Sequence, residues 1–158
     1  METRVVQGDV TAIETPALIV NLFEGVKQPG GATGAVDRAL NGAITQLIAE
    51  GEVKGKRGER TLLHTFGRLP AARVLVVGLG KQEEFTLDVV RRVTAEALRD
   101  QRGKGCTRAA TVAHGAGVGG LDAERVGEAI AEGAVLGLYR FDRYRSGNGN
   151  DRTELREV

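Results

Sequence analysis

Short apolar runs alternating with longer helical stretches predict an α/β protein: a sandwich whose helices cover both faces of a mixed, mostly parallel sheet. Two runs carry this reading. Ala17–Phe23 (Ala-Leu-Ile-Val-Asn-Leu-Phe) and Arg73–Gly78 (Arg-Val-Leu-Val-Val-Gly) are almost continuously apolar, as strands buried on both faces are, where half-exposed strands would alternate. The stretches that follow them are long enough to cross over as helices, which is what parallel neighbours require. The 158 residues, with 41% hydrophobic and 27% charged, suit one compact domain with a true core.

Taken in order, Arg4–Gln7 reads as a first strand and Ala17–Phe23 as a central one. The loop Glu24–Thr33 contains Pro29, Gly30 and Gly31. A helix then follows with Val36, Leu40, Ile44, Leu47 and Ile48 on one stripe, and stops at Gly51. Arg60–Phe66 and Arg73–Gly78 are the next strands. Thr86 is placed to cap a helix running to about Arg102, with Asp88 in the first turn where the helix dipole favours an anion. Ala109–Ala113 makes a short strand, followed by a Gly-rich turn. Asp122 caps a last helix with Val126, Ile130, Ala134, Phe141 and Tyr144 at helical spacing. Its aromatic-rich end, Leu136–Ser146, leads into the Gly/Asn-rich stretch Ser146–Asp151. The expected division is therefore a domain over 1–145 and, over 146–158, a linker or the start of a connection to another domain. Residues 152–158 have no partner in this reading.

Composition excludes several function classes. Lys plus Arg (22) against Asp plus Glu (21) leaves a net charge of +1, which argues against a nucleic-acid surface. Lys54, Lys56, Arg57 and Arg60 cluster without interleaved aromatics and read as a solvated turn. The single Cys106 rules out an internal disulfide framework. There is no signal peptide and no run of roughly 18 apolar residues that would span a bilayer, so a soluble, cytoplasmic protein without membrane partners is expected. The only serine, Ser146, lies in the linker, so no serine nucleophile is available. His64 and His114 have no carboxylate or thiol at a ligand spacing, and no metal site is assigned.

What remains are loops at strand ends, where open α/β sheets bind ligands. Three are glycine-rich: Gly25–Gly34, Gly78–Lys81 and Gly115–Gly120. None is a Walker A loop, and none is a dinucleotide fingerprint with its acidic partner. Tight turns and close helix packing are the bland explanation. Asp9 follows the first strand, where it could bind a ligand or form a local turn with Thr11. Asn21 sits inside an apolar strand and needs a hydrogen-bond partner, either loop backbone or a ligand.

Four segments occur in an order and spacing similar to the N-terminal domain of the leucyl (cytosol) aminopeptidase family. They are Ala17–Gly25, Gly55–Leu63, Arg73–Lys81 with Glu84–Leu87 and Arg91-Arg92 behind it, and Glu132–Ser146. The resemblance implies a macro-domain-like three-layer sandwich. It implies a partner C-terminal peptidase domain whose Asp, Glu and Lys side chains hold two divalent metals (zinc or manganese). It also implies a homo-oligomer, a hexamer, in which this part is architectural. The family's Asn-Thr-Asp-Ala-Glu-Gly-Arg signature has no match here, so no catalytic or metal-binding residue and no cofactor is assigned to this stretch. A second, local resemblance joins Gly8–Asn21 to the opening of macro domains, which bind ADP-ribose and related nucleotides. It implies that Asp9 accepts from the adenine amino group and that Asn21 faces the distal ribose. Gly30-Gly31 and Gly117-Val118-Gly119 would cradle the diphosphate. Leu22-Phe23-Glu24 departs from that pattern, adding bulk and a charge that repels a diphosphate by about 1 kcal/mol or more. A shared fold with its nucleotide site lost is the expectation, with nucleotide binding as the alternative.

Overall fold

The computed structural model describes residues 1–115, 120–139 and 155–158. Its sheet has the order β2-β3-β1-β4, with β1 at Ala17–Phe23, β2 at Arg60–His64, β3 at Arg73–Gly80 and β4 at Ala110–Thr111. β1 runs parallel to both β3 and β4, and β2 joins β3 as an antiparallel hairpin. The sheet is mixed, as the alternation of apolar runs and helical stretches predicts.

Successive residues of a strand face opposite sides, and here both sides are filled. Ala17, Ile19 and Phe23 of β1, with Leu75, Val77 and Leu79 of β3, pack against α3 (Leu87–Gly103) and α4 (Ala123–Leu138). Leu18, Val20 and Leu22, with Val74 and Val76, pack against α1 (Gly31–Ala39) and α2 (Ala43–Ala49). This double burial is why β1 and β3 read as unbroken apolar runs. Thr86 caps α3 by accepting from the Val89 amide, and Asp122 caps α4 by accepting from that of Glu124, as their positions predict.

Five expectations change. Arg4–Gln7 forms no strand: Val5 is 97% exposed, and the backbone bond given for the segment is Arg4 N to Val158 O at its first residue. The strand expected over Arg60–Phe66 ends at His64, and Phe66 is 91% exposed in left-handed backbone. The apolar stripe over Val36–Ile48 belongs to two helices, not one. Asn41 and Gly42 take left-handed backbone (φ 55° and 78°), and the buried Asp37 carboxylate accepts from the Ile44 and Thr45 amides, starting α2 afresh. The strand expected over Ala109–Ala113 shortens to Ala110–Thr111. The tail is not without partners: Leu155 (3% exposed) and Val158 (9%) join the α3–α4 core. Phe141, Tyr144 and the Ser146–Asp151 stretch lie outside the described residues.

Candidate functional site at the carboxyl ends of the strands

In a sheet of this type the place to look is the carboxyl end of the parallel strands β1, β3 and β4. Much of that end is closed by the chain's own backbone. The segment between α2 and β2 crosses the ends of β1 and β3: Gly80 N donates to Gly55 O at 2.8 Å and Gly78 N to Glu59 O at 2.8 Å. A Cβ on Gly78 would lie 2.0 Å from the Lys56 carbonyl oxygen, so only glycine admits this crossing. Gly78 and Gly80 therefore serve close packing, and their amides are not free to cradle an anion. The crossing segment is held by the Glu59 carboxylate, which accepts from the Lys54 and Lys56 amides. Arg57 pairs with Glu84 and Arg60 with Glu96, so two of the four cations of this surface turn are matched by carboxylates.

Asn21 finds a partner that sequence reasoning missed. Its Nδ2 lies 3.2 Å from Nδ1 of His114, and Nε2 of His114 lies 3.2 Å from the Thr111 hydroxyl. With the Asn21 amide donating, His114 accepts at Nδ1 and donates from Nε2 to Thr111, which fixes one neutral tautomer. His114 is fully buried, and that burial depresses its pKa to about 4. A neutral imidazole with both nitrogens engaged has no role in metal binding or proton transfer at the surface. No local sequence signal marks the pair: Asn21 lies in β1, His114 just beyond β4, and the parallel pairing of those strands brings them together.

Next to this pair the space fills with rings. Phe23 and Phe85 meet edge to face at 5.1 Å, and a Cβ on Gly115 would lie 2.4 Å from the Phe85 ring. Leu22 turns into the α1–α2 core, so of the three departing residues only Phe23 and Glu24 border the strand ends. An open cleft there runs between the turns Glu24–Val26 and Lys81–Glu84, with Glu24, Glu83 and Glu84 outnumbering Lys81.

The other sequence-predicted positions lie apart from one another in character. Asp9 is exposed and starts a short 3-10 turn, Val10–Ala12. One of its oxygens accepts from the Thr11 amide (2.9 Å) and hydroxyl (2.7 Å), which holds its pKa below the ordinary carboxylate value. Gly30 and Gly31 open α1 with no side-chain cap, and Thr33 in its first turn donates to the Asn21 carbonyl at 2.7 Å. Gly117, Val118 and Gly119 lie outside the described residues. Cys106 is buried, which pushes its thiol pKa up, and it faces Gln101. Among the described residues no three His, Cys, Asp or Glu side chains converge as metal ligands, so the groups here do not fit a dinuclear metal centre. None of the described helices is long and apolar enough to cross a membrane.

Comparison with known proteins places these observations. The sequence profile of the cytosol aminopeptidase family, N-terminal domain, matches residues 19–148. A probable cytosol aminopeptidase of Alkaliphilus metalliredigens is 36% identical over 146 residues; the match covers 92% of this chain but 29% of that protein. Among solved structures, a mutant tomato leucine aminopeptidase superposes over 98% of this chain and 31% of its own, with a TM-score of 0.71 at 20% identity. The Trypanosoma brucei macrodomain in complex with ADP-ribose superposes over 86% of this chain and 57% of its own, with a TM-score of 0.69 at 22% identity. Likenesses at that identity establish the fold, which is macro-domain-like.

Proposed function

The chain belongs to the cytosol aminopeptidase family, and from that premise we propose that it acts as the non-catalytic N-terminal domain of a leucyl aminopeptidase-type dinuclear metallopeptidase. The observation that carries this is the match itself: it falls on the family's N-terminal profile and takes up 29% of the length of the Alkaliphilus relative. On this reading the two divalent metals, zinc or manganese, and the groups that hold them belong to a C-terminal peptidase domain. That domain removes N-terminal residues from peptides in the cytoplasm. Two metals would supply a hydroxide nucleophile and polarise the scissile carbonyl. This domain's own contribution is architectural: a rigid body with both sheet faces sealed, which shapes assembly into a hexamer.

The test is direct. The 158-residue chain, supplied with manganese or zinc and a leucyl amide substrate, is expected to give no turnover above the metal alone. Turnover lost on dialysis against a chelator would overturn the proposal. Joined to a family peptidase domain, the chain should raise the number of protomers per assembly, read by light scattering, relative to that domain alone.

The competing reading is an ADP-ribose or nucleotide site at Asp9, Asn21, Gly30, Gly31 and the 117–119 loop. Its support is the uncapped glycine start of α1, whose amides suit an anion. Against it stands the engagement of the Asn21 amide by His114. Calorimetric titration with ADP-ribose separates the two, since micromolar binding lost in Asp9→Ala would favour the nucleotide site.

A further inference from the structure

Beyond β4 the sheet continues in a way that the strand order does not capture. Glu157 forms parallel bridges with Arg108 on one side and with Glu2 on the other. Five main-chain hydrogen bonds hold the tail between them. Arg156 N donates to Thr107 O at 2.7 Å and Ala109 N to Glu157 O at 3.0 Å. On the other side Glu2 N donates to Arg156 O at 2.8 Å, Val158 N to Glu2 O at 3.1 Å and Arg4 N to Val158 O at 3.1 Å. Leu155 and Val158 bury their side chains in the α3–α4 core on the same segment.

β4 needs this support. It pairs with β1 at only two positions, Leu18↔Ala110 and Ile19↔Thr111, with one further bond from Val112 N to Ile19 O at 3.2 Å. A two-residue strand cannot hold its own register, because so few ladder bonds oppose the backbone entropy of fixing it. Before it, Thr107 and Ala109 are bonded to the tail; three residues after it, His114 is held by Asn21 and Thr111.

We infer that residues 155–158 are a clamp strand: by pairing with Thr107–Ala109 they fix the register of β4, and through it the burial of His114 against Asn21. Release of the tail would loosen the carboxyl end of the sheet at a distance. The tail is then a conformational lever on the strand end that leads into Gly115, and this holds whichever reading of the domain's function is right.

Amide hydrogen exchange on the unmodified chain tests the coupling. If the clamp sets β4, the Ala109 and Val112 amides open together and their protection agrees within about tenfold. Exchange at Ala109 more than about a hundredfold faster than at Val112 would overturn it, since the tail would then come and go without β4. Two variants sharpen the measurement. Leu155→Ala weakens the side-chain anchor, and Arg156→Pro removes the amide that donates to Thr107. In either, Val112 exchange should rise about tenfold or more while the Leu40 amide, which closes the end of α1 on Val36 O, stays protected. The His114 ring nitrogens should also begin to titrate near the ordinary histidine value. Faster exchange confined to Ala109, with Val112 and His114 unchanged, would reduce the tail to a passive edge. Should both variants lose protection throughout, Leu40 included, the unmodified-chain comparison decides.

Discussion

On one face of the sheet, α3 and α4 run for 17 and 16 residues without interruption; on the other, α1 and α2 reach 9 and 7 before a turn separates them. The long pair seals its face by close approach. A Cβ on Gly133 would lie 2.5 Å from the Arg91 carbonyl oxygen, and one on Gly137 would lie 2.6 Å from the Ala95 Cα. Arg99 and Arg102 of α3 then donate to the Gly137 and Leu138 carbonyls, satisfying the end of α4. The short pair seals its face with aliphatic side chains and restarts its helix on one buried carboxylate, Asp37. The α3–α4 face also carries the polar pair of the sheet end, the half-buried Asn21 and the buried His114. One layer thus depends on backbone proximity and polar satisfaction, the other on side-chain packing and a cap.

The largest expected effect comes from pH. His114 has a folded-state pKa of about 4, below the ordinary 6.5, so the unfolded chain binds its proton first. Stability from this group is complete above about pH 6.5, falls as pH drops toward 4 and is flat below; the total is about 3 kcal/mol. Chemical denaturation of the wild type at pH 7 and pH 5 should show the loss. His114→Gln, which keeps a donor and an acceptor, should flatten the profile in that window. Identical pH profiles for the two proteins would remove His114 from the account.

Next is the close packing of the long pair. Gly133→Ala adds one carbon against a main-chain oxygen. The expected net loss is about 1–3 kcal/mol, even though alanine improves helix propensity by about 1 kcal/mol. A gain in denaturation midpoint would mean that α4 moves away from α3 freely, and that proximity is not what seals this face. On the opposite face, Asp37→Ala removes the acceptor for the Ile44 and Thr45 amides and should cost about 1–2 kcal/mol. Loss of helical circular dichroism amounting to α2 alone, with the α3–α4 core still cooperative, would confirm that the two layers are separable.

The same contrast explains what could be read from residues alone. β1 and β3 were legible because double burial writes an unbroken apolar run, and the caps Thr86 and Asp122 because capping is local. The α1–α2 break was not. Its apolar stripe continues unbroken through Asn41-Gly42, and the Asp37 cap that restarts the helix reaches seven residues ahead to Ile44. Arg4–Gln7 has strand-like residues, but a strand exists only with a ladder partner, and Val5 and Val6 have none. At the candidate site, Asn21 announced a need for a partner. The identity of that partner depended on a contact 93 residues away that only the β1–β4 register creates.

The smallest effect tests the long layer's treatment of polar atoms from the opposite direction. Thr94 in α3 is 1% exposed, and its hydroxyl is the one buried side-chain polar atom among the described residues with no hydrogen-bond partner. Burial strips the hydroxyl of water and returns nothing, at a cost of about 1–3 kcal/mol measured against a satisfied group. Thr94→Val keeps the branched shape and the helix backbone while deleting the orphan. Because α3 is packed too tightly for rearrangement, the void-free swap should register almost entirely as relief, a gain of about 1 kcal/mol in denaturant unfolding. A loss of similar size would mean that the hydroxyl has a partner in solution, most simply a carbonyl one turn earlier in α3. The layer would then satisfy all of its polar atoms, and its difference from the α1–α2 face would rest on backbone proximity alone.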